Sequence, residues 1–251
     1  MSKDRLISLG SQTAKNGFGN EHAIAAKFNS WKGDPEAKKW LRVMKYDLSE
    51  IGFVKAAVVS GHKTDVQVQV TIKMKEVISV ENLQVKLVSN LKGYNQIDKR
   101  WVRSYVPLWE IPENVVEVLK HFTGELAPTI KNPRDKRRMF LDEFSDNKRE
   151  LAVSFFKENK SLIVNDILKG RGRLAAEWML VAQKIENNAR WVLTPMNCAI
   201  NFFGGGDITV TDRGSLKIGR ITVQRKGGDA GRDTANMLQF KINPAELFDK
   251  K

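Results

Sequence analysis

The chain has 251 residues, with 42 Lys and Arg against 29 Asp and Glu, so its formal net charge is +13 at pH 7. Its 41% hydrophobic content is that of a folded domain, and its single cysteine excludes an intramolecular disulfide and a cysteine-ligated zinc site. No apolar run approaches the roughly 20 residues of a membrane span, and no secretory signal pattern is recognised at the N-terminus. We therefore expect a globular protein of a reducing compartment.

The basic residues are spread along the chain rather than gathered in one segment. Clusters lie at Lys131–Arg138, Lys169–Arg173 and Arg213–Arg232. Binding to an anionic membrane surface favours one basic amphipathic segment, whereas several dispersed patches suit a partner that wraps around a domain or fills a cleft. The pattern favours a nucleic acid as the partner, with an ordinary solvated basic surface as the alternative.

Apolar periodicity predicts the elements of the first part of the chain. Spacing of 3.6 residues predicts a first helix, Asp34-Pro35 predicts the start of a second, and strict apolar-polar alternation predicts a strand over Asp65–Ile72. In chain order, we predict a helix over Ser11–Trp31, a short helix from Asp34, strands over Phe53–Ser60, Asp65–Ile72 and Leu83–Val88, and mainly helices from Ile97 to about Leu168.

The second part of the chain is predicted to return to strands. These are Ala175–Lys184, Asn188–Leu193, Asp207–Val210, Leu216–Val223 and Met237–Ile242, with a short helix after Pro195. The result is a mixed α/β chain with antiparallel hairpins, without the regular βαβ alternation of a doubly wound fold. Because we find no internal repeat and no low-complexity linker, we predict a single domain over residues 1–251 with two functional halves.

The third predicted strand places two polar residues in a buried setting. Gln84 and Lys86 are two residues apart and therefore point to the same face of a strand with apolar neighbours. A hairpin centred near residues 75 and 76 pairs residue i with roughly residue 150 − i, which places Asp65 opposite Gln84 to Lys86. A carboxylate, an amide oxygen and an ammonium group are therefore predicted to converge at one end of this hairpin.

These groups suit a hard metal ion and a phosphate. Asp65, Gln84 and the Val85 carbonyl offer oxygen ligands, and incomplete, water-rich coordination is typical of Mg²⁺. Lys86 is expected beside the attacking water or the transferring phosphate, where it helps to form hydroxide and stabilises negative charge. In a basic chain, this site predicts hydrolysis of a phosphodiester. The alternative is that Asp65 caps a strand and that Gln84 and Lys86 lie on a partly exposed edge.

Asp65, followed after eighteen residues by Gln84-Val85-Lys86, resembles the PD-(D/E)xK nuclease signature in its variant with glutamine at the acidic position. Further segments extend the resemblance over nearly the whole chain. They are Gly17-Phe18, Asn20-Glu21, Ser60-Gly61, Leu87–Asn90, Asn95–Lys99, His121–Leu126, Lys136–Phe140 and Gln224–Asp229. Together these segments are similar to the HinP-type type II restriction endonucleases.

The resemblance implies a PD-(D/E)xK restriction-endonuclease-like α/β fold, in which a central mixed β-sheet is flanked by helices. It implies Mg²⁺-dependent hydrolysis of double-stranded DNA at GCGC, cut after the first G to leave 5′-phosphate ends, with one or two Mg²⁺ per active site. Residues 1 to about 168 then form the catalytic half, and residues from about 169 to 251 the DNA-recognition half. A cytoplasmic bacterial enzyme with a cognate DNA methyltransferase is implied, the methyltransferase as a genetic partner and not a bound subunit.

A four-base palindrome suits a homodimer by symmetry, although a monomer that nicks one strand at a time is also consistent. Two other functions stay open as alternatives. A structure-specific DNA repair or junction nuclease would share the fold, and the residues of Gln224–Asp229 argue against it. A non-catalytic DNA-binding protein would bind without cleavage, and the complete set of Asp65, Gln84 and Lys86 argues against that.

Carried over by residue, the resemblance makes Asp65 the metal-binding acid, Gln84 the second ligand and Lys86 the catalytic lysine. The chain departs from the general signature at Thr64, which replaces a proline that shapes the turn. Glutamine at position 84 removes one negative charge, so Mg²⁺ is expected to bind more weakly unless another carboxylate helps.

Glu21 is the candidate for that additional carboxylate. It falls on the helical stripe of Phe18, Ile24, Ala25 and Phe28, and a carboxylate on an apolar face is costly unless it meets a cation. A metal ion, bound directly or through water, is one such cation. A salt bridge to a lysine or arginine is the alternative.

The last part of the chain carries candidate base-reading groups. A strand over Gly219–Lys226 is predicted to end in Gly227-Gly228-Asp229. The side chains of Gln224, Arg225, Lys226 and Asp229 supply the donors and acceptors that G·C base pairs require, with an ordinary charged turn as the alternative. Tyr94 and Gln96 follow the catalytic strand and are further candidates for DNA contact. Tyr94 could wedge between base steps or anchor its loop to the core.

Overall fold

The computed structural model describes residues 3–72, 77–228 and 232–249. Its helices are α1 Lys3–Asn29, α2 Pro35–Val43, α3 Val102–Trp109, α4 Glu113–Thr123, α5 Asp146–Glu158, α6 Lys160–Leu168 and α7 Met196–Gly204. Its strands are β1 Ile51–Val58, β2 Val66–Ile72, β3 Val77–Val88, β4 Asn95–Arg100, β5 Trp178–Ile185, β6 Asn188–Pro195, β7 Ile208–Val210, β8 Leu216–Ile218, β9 Ile221–Arg225 and β10 Leu238–Ile242. No helix among the described residues is long and apolar enough to span a membrane.

The chain divides into two compact units, each built from separated segments. The first unit comprises Gly10–Gly93, Leu168–Ala199 and the C-terminal residues from Asn243 onward. The second unit comprises Tyr94–Ile167, Ile200–Ile242 and the start of α1. The segments alternate between the two units along the chain.

A five-stranded mixed sheet forms the first unit, in the order β1-β2-β3-β5-β6. All neighbouring strands are antiparallel except β3 and β5, which are parallel. Alternation in β2 directs Val66, Val68 and Val70 into the core, where they join Phe28 of α1 and Trp40 of α2 in one apolar cluster. The predicted mixed α/β architecture is confirmed here.

The second unit contains an antiparallel sheet in the order β4-β10-β9-β8-β7. One face of this sheet is apolar, with Val223 of β9 and Phe240 of β10 fully buried. The rings of Tyr105 and Trp109 stack with centroids 4.2 Å apart, and both meet Phe240 edge-to-face at 5.7 Å. Helix α3 thereby covers the apolar face of the sheet.

Several predicted elements are confirmed with small shifts of their ends. Asp34 caps α2, because its carboxylate accepts hydrogen bonds from the backbone N–H groups of Glu36 and Ala37, each at 2.9 Å. The predicted hairpin register is correct to within one residue, since Val66 pairs with Leu83. The first helix begins earlier than predicted, at Lys3.

Two element predictions were wrong. The stretch predicted as helical from Ile97 begins with strand β4, which pairs with β10 before α3 starts. The predicted strand Leu216–Val223 is two strands, β8 and β9, joined by a turn at Gly219. Gly219 has a φ of +55° and lies too close to the Gly205 carbonyl to accommodate a Cβ atom, so glycine is required there.

Candidate active site

Asp65 is held between two strands of the first unit. Its backbone N–H donates to the Leu83 carbonyl at 2.8 Å, and its own carbonyl accepts from the Val59 N–H at 2.9 Å. Thr64, at the position of the signature proline, is fully buried, and its hydroxyl donates to the Leu174 carbonyl at 2.7 Å. The threonine therefore fixes the turn by a hydrogen bond, where a proline would fix it by its ring.

The carboxylate of Asp65 extends the pairing between β2 and β3. Its Oδ2 accepts a hydrogen bond from the backbone N–H of Val85 at 2.7 Å. The residue-by-residue pairing of β2 with β3 ends at Val66 and Leu83, so the carboxylate continues the ladder beyond the end of β2. This contact places Asp65 beside the residue that lies between Gln84 and Lys86, as the hairpin prediction required.

Gln84 is a buried polar residue of β3. Its side chain is only 2% exposed, and its Oε1 is buried without a hydrogen-bond partner among the described residues. Leaving a buried acceptor unpaired costs about 1–3 kcal/mol, so such an atom calls for a ligand. An amide oxygen that faces no donor is suited to coordinate a hard cation.

Glu21 belongs to the same electrostatic cluster. Burial and the negative charge of Asp65 raise the pKa of Glu21 to about 7, while the ammonium group of Lys86 opposes the rise. Burial also raises the pKa of Asp65, against the effects of Lys86, the Val85 N–H and Lys63. In both groups burial is the largest cause and outweighs the nearby lysines, so a bound divalent cation would offset the cost of keeping the two carboxylates charged.

The carboxylates do not suffice to hold a metal ion by themselves. Within the described residues, no group of three His, Cys, Asp or Glu side chains could hold a metal ion. The available donors are instead the carboxylates of Asp65 and Glu21, the Gln84 amide and the backbone carbonyl of Val85. Oxygen donors of this kind suit a hard divalent cation.

The second unit holds the predicted DNA-contacting residues. Tyr94 is 47% exposed, and Gln96 on β4 is exposed. Gln224 on β9 is half-buried and lies directly opposite Gln239 of β10. Lys226 follows the end of β9, and its backbone N–H donates to the Met237 carbonyl at 2.8 Å. Asp229 lies outside the described residues.

The guanidinium group of Arg225 is hydrogen-bonded to other residues of the second unit. Its Nε donates to the Thr123 carbonyl at 2.9 Å and to Asn236 Oδ1 at 3.1 Å, and its Nη2 donates to Asn236 Oδ1 at 2.7 Å. Burial lowers the pKa of Arg225, and Arg137 lowers it further. The guanidinium group therefore joins the end of α4 to the segment that precedes β10.

A family model for the R.HinP1I restriction endonuclease matches residues 44–248 of the chain. The chain belongs to the R.HinP1I restriction endonuclease family. It is accordingly a type II site-specific deoxyribonuclease, and its substrate is DNA. Endonucleases of this kind generally use divalent metal ions.

The fold agrees with this family assignment. The chain is similar to the crystal structure of restriction endonuclease MspI in complex with its cognate DNA, with a TM-score of 0.63 and 13% sequence identity. The similarity covers 88% of this chain and 87% of that chain, which confirms the predicted PD-(D/E)xK fold. A search of curated proteins found no match.

The sequence analysis of this R.HinP1I family member did not single out two polar residues of β10, Gln239 and Lys241. Gln239 is buried on β10 and donates from Nε2 to Gln96 Oε1 at 2.9 Å. Lys241, two residues later, is half-buried, and burial lowers its pKa. The signal was present in the alternation of β10, where these polar residues interleave with Leu238, Phe240 and Ile242.

Proposed function

We propose that this restriction endonuclease hydrolyses double-stranded DNA at GCGC in the presence of Mg²⁺, cutting after the first G and leaving 5′-phosphate ends. One observation carries the proposal for the catalytic centre. The Oε1 of Gln84 is buried without a hydrogen-bond partner among the described residues, and the backbone N–H of the next residue, Val85, holds the Asp65 carboxylate. The name of the matched family supports the GCGC specificity.

We propose that Asp65, Gln84 and the Val85 carbonyl hold one or two Mg²⁺, with Glu21 bound directly or through water. A divalent cation supplies Lewis-acid stabilisation of the charge that develops on the phosphate. Glu21 provides the negative charge that glutamine at position 84 lacks. Its pKa is raised first by burial and then by repulsion from Asp65, and a bound cation would oppose both effects.

The protein side chains then have separate tasks. Asp65 keeps a fixed orientation because its carboxylate is hydrogen-bonded to the Val85 N–H. Lys86 is proposed as the catalytic lysine that orients the attacking water and stabilises negative charge on the phosphate. The half-buried position of Lys86 near two carboxylates keeps its ammonium group within the cluster.

For DNA recognition, we propose contacts from Gln224, Lys226, Asp229, Tyr94 and Gln96. Amide, lysine and carboxylate groups together supply the donors and acceptors that G·C pairs require. Arg225 is also proposed to contribute, through its positive charge and through the loop that it secures. The net charge of +13 supports association with the DNA backbone.

The proposed enzyme acts as a homodimer on the palindrome or as a monomer that nicks each strand in turn. Its host is proposed to carry a methyltransferase that modifies the same site. Membership of a restriction endonuclease family favours sequence-specific cleavage over both a junction nuclease and a non-catalytic DNA-binding protein.

The test is digestion of unmethylated plasmid DNA by the purified protein with Mg²⁺, followed by sequencing of the fragment ends. We expect discrete 5′-phosphate ends after the first G of each GCGC site, and no cleavage with a chelator. Ends at another sequence would contradict the GCGC assignment. Nicks that follow DNA structure instead of sequence would favour a repair nuclease.

A further inference from the structure

The sheet of the second unit has one polar face. Strands β9 and β10 bury Val223 and Phe240 on one side, so Gln224 and Gln239 point to the other. Direct pairing across the strands places Gln239 opposite Gln224 and Lys241 opposite Thr222. On its other edge, β10 pairs with β4, where Lys241 is opposite Gln96. The result is a contiguous surface of amide, hydroxyl and ammonium groups.

Gln239 is the unusual member of this face. It is only 5% exposed, yet its Oε1 has no hydrogen-bond partner among the described residues. Its Nε2 is used, because it donates to Gln96 Oε1 at 2.9 Å. An apolar side chain of similar size would avoid the cost of the unpaired oxygen, so stability does not explain the glutamine.

The contact between the two glutamines fixes the orientation of Gln96. The Oε1 of Gln96 is occupied by Gln239, so the exposed Gln96 side chain is left to present its Nε2 donors. Lys241, directly opposite Gln96, adds a donor on the same face. The face therefore offers donors and suits a ligand that offers acceptors.

We infer that Gln239 is a specificity-determining positioning residue, which holds the Gln96 amide so that its Nε2 donates to an acceptor on a DNA base edge. Guanine fits best, since its major-groove edge presents the acceptors O6 and N7. The inference rests on the proposed function, because it assumes that the second unit binds G·C base pairs.

The test compares Gln239→Leu with wild type and with the matched control Gln69→Leu, an exposed glutamine on β2 of the first unit. Dissociation constants are measured for a GCGC duplex and for duplexes with one changed base pair. We expect Gln239→Leu to lower the discrimination between these duplexes about tenfold, as for the loss of one base contact. The control is expected to keep wild-type discrimination.

Two further measurements separate positioning from a structural role. The melting temperature of Gln239→Leu is expected to stay equal or rise, because the substitution removes the unpaired amide oxygen. The slope of log affinity against log salt concentration is expected to stay unchanged, because no phosphate contact is lost. Unchanged discrimination in a folded Gln239→Leu protein would overturn the inference.

Gln239→Glu provides a second, more specific variant. A carboxylate at position 239 accepts instead of donating, so Gln96 must rotate its amide and present Oε1 to the DNA. We expect the preferred base pair at one position to change, instead of a uniform loss of affinity. Uniformly weakened binding with the same base preference would contradict the inference.

A double-variant cycle tests whether Gln239 acts through Gln96. If it does, Gln96→Ala combined with Gln239→Leu loses no more discrimination than Gln96→Ala alone. Additive losses would overturn the positioning role. If the wild-type protein shows no preference for GCGC, the proposed specificity is overturned. If the wild type prefers GCGC and Gln239→Leu discriminates equally well, only this inference is overturned.

Discussion

The side-chain carboxylate of Asp65 accepts a hydrogen bond from the backbone N–H of Val85, across 2.7 Å. This single contact connects the end of the β1–β2 hairpin to the middle of the site on β3. Because Val85 lies between Gln84 and Lys86, any movement of that backbone would carry all the candidate catalytic groups on β3 with it. The carboxylate is therefore positioned by the strand that supplies its partners.

Lys86→Ala is expected to abolish cleavage while binding to a GCGC duplex persists. The lysine is proposed to stabilise charge that develops only as the phosphate reacts, so its loss affects the rate more than the affinity. The measurement is plasmid cleavage together with a gel-shift titration. Lys55→Ala is a matched control, since Lys55 is exposed on β1. Cleavage by purified Lys86→Ala protein at the wild-type rate would contradict the assigned role.

Gln84→Glu is expected to retain cleavage, because it restores the acidic residue of the usual signature. It adds a third carboxylate beside Asp65 and Glu21, so the metal-free protein should be less stable at neutral pH and should bind Mg²⁺ more tightly. Thermal melts with and without Mg²⁺, beside cleavage assays, check both effects. Complete inactivity of a folded variant would show that the glutamine does more than bind the cation.

Glu21→Gln is expected to stabilise the metal-free protein at pH 8 and to have little effect at pH 5. The folded-state pKa of Glu21, about 7, lies above its ordinary value of 4.5. Protonation therefore stabilises the fold below about pH 4.5, and this contribution is lost as pH rises through 7. Since the side chain is half-buried, we expect a gain of about 1–2 kcal/mol at pH 8.

This pH effect is measured by thermal or urea unfolding in chelator between pH 5 and pH 8. The exposed residue Glu50 supplies the control, Glu50→Gln, for which no pH-dependent difference from wild type is expected. Equal stabilities of wild type and Glu21→Gln across this range would argue that Glu21 is not in the carboxylate cluster.

Arg225→Lys is expected to lower the free energy of unfolding by about 1–2 kcal/mol, because lysine cannot reproduce the guanidinium bonds to Thr123 and Asn236. Arg149→Lys, which affects an arginine paired with the exposed Asp146, should change stability by less than about 0.5 kcal/mol. Urea denaturation distinguishes the two. A stable Arg225→Lys protein with weakened DNA binding would instead indicate direct contact with DNA.

Local patterns predicted the β2–β3 hairpin well. Strict alternation in Asp65–Ile72 set the buried face, and the centre of the connection set the register to within one residue. The expectation that Glu21 of α1 meets a metal ion or a salt-bridge partner stays a prediction, although Lys86 does lower its pKa against the larger effects of burial and Asp65. These features depend on residues close together in sequence or on simple periodicity.

The missed features depend on partners far away in the chain. Strand β4 is largely polar and lacks apolar alternation, so its sequence does not indicate a strand. It forms a strand because it pairs with β10. The bonds of Arg225 reach Thr123, roughly 100 residues away, so no local pattern could reveal that its guanidinium is occupied. Gly219 divides a predicted strand because of the nearby Gly205 carbonyl, which is invisible to propensity arguments.

The parallel pairing of β3 with β5 has a consequence during protein synthesis. Leu83 pairs with Trp178, roughly 95 residues later, so closing this pair costs more chain entropy than forming the β1–β2–β3 hairpins. A nascent chain can form these hairpins early, but the strand with Gln84 and Lys86 remains an open edge until β5 has been translated. We expect nuclease activity to be acquired only late in translation, so that unfinished chains leave the host chromosome intact.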